Sequence, residues 1–174
     1  MALVFTVSMG GLLWWMLHPP APISAAVAKA RRSVDAVKRI LVPTLGMPYS
    51  ERGVELACRL GQEQKAEIVL IYVLEVPRTM PLGIPMPDAE GKAREALERA
   101  QSIVALHGLS SVIDIQRARE AGEGIIRAAR DHDVDLIVIG IRPRLTVAQD
   151  IVGRTADFLL RRAPCEVIIN KLPG

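Results

Sequence analysis

The sequence predicts an open α/β fold, a five-stranded parallel sheet with helices on both faces. Three observations predict it. Apolar runs rich in β-branched residues alternate with amphipathic stretches from Val37 onward. Each helix-containing connection is long enough for a right-handed parallel crossover. Half of the residues are hydrophobic but only 3% are aromatic, so the core has to be aliphatic.

The elements follow in order. Arg39 to Thr44 (RILVPT) reads as the first strand. Ser50 is placed to cap a helix over Glu51 to Gln64. Glu67 to Val73 is a second, strongly apolar strand. Pro77 to Pro87 is crowded with proline and reads as a mobile loop. Asp88 then caps a helix reaching His107, with Ala93, Ala96, Leu97, Ala100 and Val104 inward and Gly108 ending it. Ser111 to Ala118 alternates apolar and polar residues, the mark of a half-exposed edge strand. Glu123 to His132 is a helix with Ile125, Ile126 and Ala129 inward. Leu136 to Ile139 is an unbroken apolar run closed by Gly140, suited to a strand buried on both faces. A helix with Val152, Ala156, Leu159, Leu160 and Ala163 on one face follows, stopped by Pro164. Val167 to Ile169 starts the final strand.

Residues 37–174 therefore form one domain. Residues 19–36 read as a basic Pro/Ala linker. Residues 1–18 stand apart: Met1 to Leu17 carries no charged side chain and holds both tryptophans. At 17 residues it is short beside the roughly 20 that a membrane span needs. Trp14 and Trp15 suit a membrane interface, and the basic residues after them predict a cytoplasmic domain anchored to the inner membrane. A cleaved signal peptide is disfavoured, because no Lys or Arg precedes the apolar run. A truncated or misassigned start is the third reading, leaving either the tail of a longer membrane protein, such as the detached cytoplasmic tail of a transporter, or a meaningless extension.

Several functions are excluded by pattern. The net charge of +3 is mild and its cations are scattered, so nucleic acid is not an expected partner. The two cysteines have no metal or disulfide spacing; Cys58 has the setting of a buried thiol. There is no GxxxxGK[ST] and no GxGxxG after the first strand, and no Gly-x-Ser-x-Gly. Asp131, Asp133 and Asp135 lack the glycine and glutamate of a Ca²⁺ loop and read as a solvated turn. His107 and His132 sit where a helix C-terminus favours them. With no positioned base or metal ligand, an enzyme such as a slow nucleotide hydrolase has the least support. Gly140 to Thr155 is where chemistry can be placed. Backbone N–H groups beside glycines at a helix start could cradle an anion, with Arg142, Arg144 and Arg154 adding charge. The alternative is that both glycines serve only turning and packing.

RILVPT at Arg39 to Thr44, the run from Ala121 to Gly140, and GRTADFLLRRAPCEVIIN at Gly153 to Asn170 resemble the universal stress protein family, over about Val37 to Lys171. The resemblance implies an adenine nucleotide alpha-hydrolase-like fold and a homodimer through the last strand, Glu166 to Asn170. It also implies the ATP motif of Gly, two residues, Gly, nine residues, Gly, then Ser or Thr. Gly140 and Gly153 fit its first and third positions. Pro143 replaces the second glycine, Arg154 replaces the Ser or Thr with Thr155 one place late, and Leu45 replaces an aspartate that meets adenosine. The cofactor-binding candidates are Pro43, Leu45, Val73, Gly140, Arg142, Gly153, Arg154 and Thr155. Proline offers no N–H and leucine no acceptor, so these departures predict weak or absent ATP binding. The expected function is a dimeric, membrane-tethered stress-response module acting through protein contacts. The alternative is a nucleotide-binding stress-signalling protein in which the arginines compensate.

Overall fold

The computed structural model describes residue 14 and residues 37–142 and 153–171. All of these but Trp14 fall in one compact unit, Asp35–Gly174. Its elements are β1 (Arg39–Pro43), α1 (Pro48–Gly61), β2 (Glu67–Glu75), α2 (Pro87–Leu106), β3 (Ser111–Ala118), α3 (Ala121–Asp131), β4 (Leu136–Ile141), α4 (Arg154–Arg162) and β5 (Glu166–Lys171). The five strands form one sheet in the order β3-β2-β1-β4-β5, and every pairing is parallel. This is the expected fold, with β3 at an edge as its alternation predicts.

Strand alternation sorts the core into two layers. Leu41, Val69, Ile71, Ile137 and Ile139 point to one face and pack with Ile125, Ala129 and Leu159 of α3 and α4. Ile40, Val42, Ile68, Leu70 and Val138 point to the other and meet Val54, Ala57, Leu97 and Val104 of α1 and α2. With helices on both faces, the central strands must be apolar at every position, which is why they read as unbroken runs. Cys58 is fully buried in the second layer, and burial pushes its thiol up to about 11.

Some boundaries move. Helix α1 begins at Pro48, so Ser50 occupies the third helical position instead of the cap, which is Met47. Ser50 still organises the turn: its Oγ accepts N–H groups from Leu45 at 3.2 Å and Met47 at 3.1 Å. It also donates to the Met47 carbonyl at 2.8 Å. Met86, not Asp88, precedes α2, because Pro87 with its fixed φ takes the first helical position. Leu160 is 55% exposed rather than inward. Helix α4 buries Ala156 and Leu159, while Phe158 lies against Gly122 of α3, a contact its helical spacing does not announce. Val152 lies outside the described residues.

The polar features resolve as structure. His107 and His132 cap α2 and α3 as expected and also find carboxylates, Glu55 at 2.8 Å and Asp114 at 3.1 Å. The His107 hydrogen bond, helped by Arg59 and opposed by burial, holds the Glu55 carboxyl below its usual range. Asp135 accepts the N–H groups of Lys38 and Arg39, and no metal-binding cluster is present among the described residues. The Pro77 to Pro87 loop is tied to the end of β3. Arg117 reaches the Leu82 and Ile84 carbonyls, and Arg119 reaches those of Val76 and Pro77. No helix among the described residues is long and apolar enough to cross a membrane. Met1 to Leu17, apart from Trp14, lies outside them.

The tightest junction is between α1 and β4. A Cβ on Gly140 would stand 1.9 Å from the Tyr49 carbonyl oxygen, and one on Gly53 would stand 3.1 Å from the Gly140 nitrogen. Gly140→Ala is expected to force these backbones apart and cost about 3 kcal/mol, the upper part of the overpacking range. Urea denaturation measures it; a variant within about 0.5 kcal/mol of the parent would show the contact to be soft.

Candidate functional site

The site follows from topology. From β1 the chain runs outward through β2 to β3, then crosses to β4 on the other side of β1. Ligands in open α/β sheets sit at such a reversal, beyond the carboxyl ends of the strands. The β1–β4 ladder is short there. It holds two register pairs, Ile40 with Leu136 and Leu41 with Ile137, whereas β1 and β2 stay paired through Pro43. Successive residues of an inner strand bond to opposite neighbours. The Arg39 carbonyl accepts from Asp135, next to β4, and the Thr44 N–H donates to Ile71 of β2. Odd-numbered residues of β1 therefore face β4, and the next odd residue after Leu41 is Pro43, which has no N–H to give. The ladder stops and a crevice opens.

A cleft of about 420 Å³ occupies that crevice. Pro43, Leu45, Val73 and Gly140 line it from the ends of β1, β2 and β4; Arg142, Gly153, Arg154 and Thr155 line it from the approach to α4 and its first turn. All eight residues singled out in the sequence thus share one cavity. Pro143 and Arg144 lie outside the described residues.

Sequence reasoning missed part of the wall. Tyr49 and Ser50 border the cleft from the start of α1, and Ala121 from the start of α3. Counting α4, three helix N-termini border one cavity, each turning a positive dipole end toward it. Glu75 also lines it, at the last position of β2. Its position two residues after Val73 was the available signal, since such residues share a strand face.

The local conformation explains the shape. Gly153 precedes α4 at φ 80°, a region an L side chain rarely enters, and no side chain caps the helix there. The first N–H groups of α4 therefore begin at the cavity without an intrahelical partner. The Arg142 guanidinium lies 5.7 Å from the centroid of the Tyr49 ring, a cation–π distance that holds it at the mouth. Thr44 and Ser50 are buried beneath, their hydroxyl oxygens 3.5 Å apart. Leu45 is 49% exposed and lines the cavity with an alkyl chain that can accept no hydrogen bond. One wall is thus aliphatic, and the α4 side is electropositive. Such a cavity can hold a flat apolar group against the strand ends and an anion at the helix.

Comparison with known proteins agrees with this architecture. A universal stress protein of Methanocaldococcus jannaschii is 26% identical over 154 residues, covering 82% of this chain and 87% of the relative. The solved universal stress protein UspA of Lactobacillus plantarum superposes with a TM-score of 0.63 at 23% identity, covering 77% of this chain and 97% of that one. A universal stress protein of Archaeoglobus fulgidus, solved in complex with dAMP, superposes with a TM-score of 0.61 at 19% identity. It covers 76% of this chain and 96% of the other. The Universal stress protein family model matches residues 36–171. The chain belongs to the universal stress protein family.

Proposed function

We propose that this chain is a stress-response regulatory module whose cleft takes an adenine nucleotide with modest affinity. The base would rest against Pro43 and Val73, with the phosphate at the α4 N-terminus between Arg142 and Arg154. The fold relative solved with dAMP supports the ligand class. The observation that carries the weakness is Leu45. Its half-exposed alkyl chain presents no acceptor to ligand hydroxyls or amines. An acceptor lost from a charged hydrogen bond is worth about 1.5–3 kcal/mol, or roughly ten- to a hundredfold in affinity.

Calorimetry on the full chain with ATP and AMP is expected to give dissociation constants well above the micromolar range. Leu45→Asp should tighten binding by about tenfold. Low-micromolar binding by the parent, or no gain in the variant, overturns the reading. One feature favours compensation by the arginines instead, namely the Arg142 guanidinium already stacked at the mouth on Tyr49. If they compensate, Arg154→Ser weakens binding; if they do not, it leaves binding unchanged or improves it.

Two further parts of the reading concern assembly. Strand β5 lies at a sheet edge, paired with β4 alone among the described residues, with Val167, Ile168 and Ile169 half-buried. An exposed apolar edge of this kind supports a homodimer through Glu166 to Asn170. The uncharged Met1 to Leu17 segment supports a tether to the inner face of a membrane. Fractionation followed by sedimentation of the extracted protein tests both. Membrane-bound dimers are expected; a freely released monomer contradicts both.

A further inference from the structure

The cleft is divided by charge. Among its described residues the cations are Arg142 and Arg154, both on the β4–α4 side, and the anion is Glu75 at the end of β2. Strands β2 and β4 flank β1, so their axes are about 10 Å apart. An anionic ligand group drawn to the arginines is therefore kept away from the carboxylate, and the far end of the ligand is brought toward it.

Glu75 is held for this. Its Oε1 accepts the Ala121 N–H at 2.8 Å, which fixes the carboxylate on the first turn of α3. That amide is its one hydrogen-bond partner among the described residues. A carboxylate offers about four acceptor sites, so most of its capacity is unspent. It shares a strand face with Val73, which lines the same wall. Leu45, the neighbouring side chain at the end of β1, cannot accept a hydrogen bond.

We infer that Glu75 is the specificity-determining acceptor of this cleft, taking a hydrogen-bond donor from the nucleoside half of the ligand, a ribose hydroxyl or an exocyclic amine. The inference rests on the nucleotide reading given above. It makes a weakly binding cleft a selective one: affinity falls with the acceptor that Leu45 lacks, but discrimination is kept by the one that Glu75 supplies.

The test compares AMP, 2′,3′-dideoxy-AMP and IMP on the full chain, on Glu75→Gln and on Glu75→Met. The glutamine oxygen can still hold the Ala121 N–H, so α3 keeps its start, while the side chain turns from acceptor to donor toward the ligand. The parent is expected to prefer AMP by about tenfold over the dideoxy analogue if the donor is a hydroxyl, or over IMP if it is the amine. If the donor is the amine, Glu75→Gln should erase or reverse that preference, its NH2 meeting the IMP oxygen; if it is a hydroxyl, which can also accept from that NH2, Glu75→Met, which neither accepts nor donates there, should erase it. Equal preference in the parent and in the variant that should lose it, or no preference in the parent, overturns the inference and leaves the nucleotide reading standing. Failure of the parent to bind any of the three overturns both.

Discussion

The first turn of α1 lies directly on the end of β4, and the rest of the site depends on that contact. Only a residue without a Cβ lets the Tyr49 carbonyl come so close to Gly140. Because the helix start is seated there, its Ser50 hydroxyl can gather the Leu45 and Met47 N–H groups and fix the turn leaving β1. That turn decides which side chain stands at the cleft, and in this chain it is Leu45.

The neighbouring opening has a separate cause. The β1–β4 ladder ends because the residue due to bond across it is Pro43, and the strands part where the sheet changes direction. Three helix N-termini border the gap, and two guanidiniums lie on one side of it. These features favour an anion at α4 whatever the remainder of the ligand is. The opposite wall is aliphatic apart from Glu75. Selectivity in such a cavity rests on few polar groups, so an alkyl chain such as Leu45 at the mouth weighs more there than it would on an exposed helix.

The fold was legible in the sequence because its signals are strong and redundant. Aliphatic runs at β2 and β4, helical spacing at Ala93 to Val104, and alternation at β3 each matched a layer of the structure. The eight candidate residues were legible through family spacing, and they line one cavity. What escaped was set by tertiary contact. Leu160 has helical spacing for the core but points outward, since Phe158 is what α4 sets against Gly122. Ser50 and Asp88 have the chemistry of caps, yet prolines at Pro48 and Pro87 start both helices earlier. Glu75 carries no motif; its spacing from Val73 hints at the wall it lines, but its hydrogen bond to the start of α3 has no signal in the sequence.

The central claim is that this gap between β1 and β4, and no other surface, is where the chain receives an adenine nucleotide. Amide chemical shifts of the isotope-labelled protein, followed as AMP is added, test it most directly. The account predicts saturable movement at Leu45, Val73, Gly140 and Gly153 to Ala156, with the outer face of α3 and α4, where the exposed Arg127, Arg130 and Arg162 line a shallow groove, undisturbed. Movement confined to that outer face, or none at any amide, would contradict it.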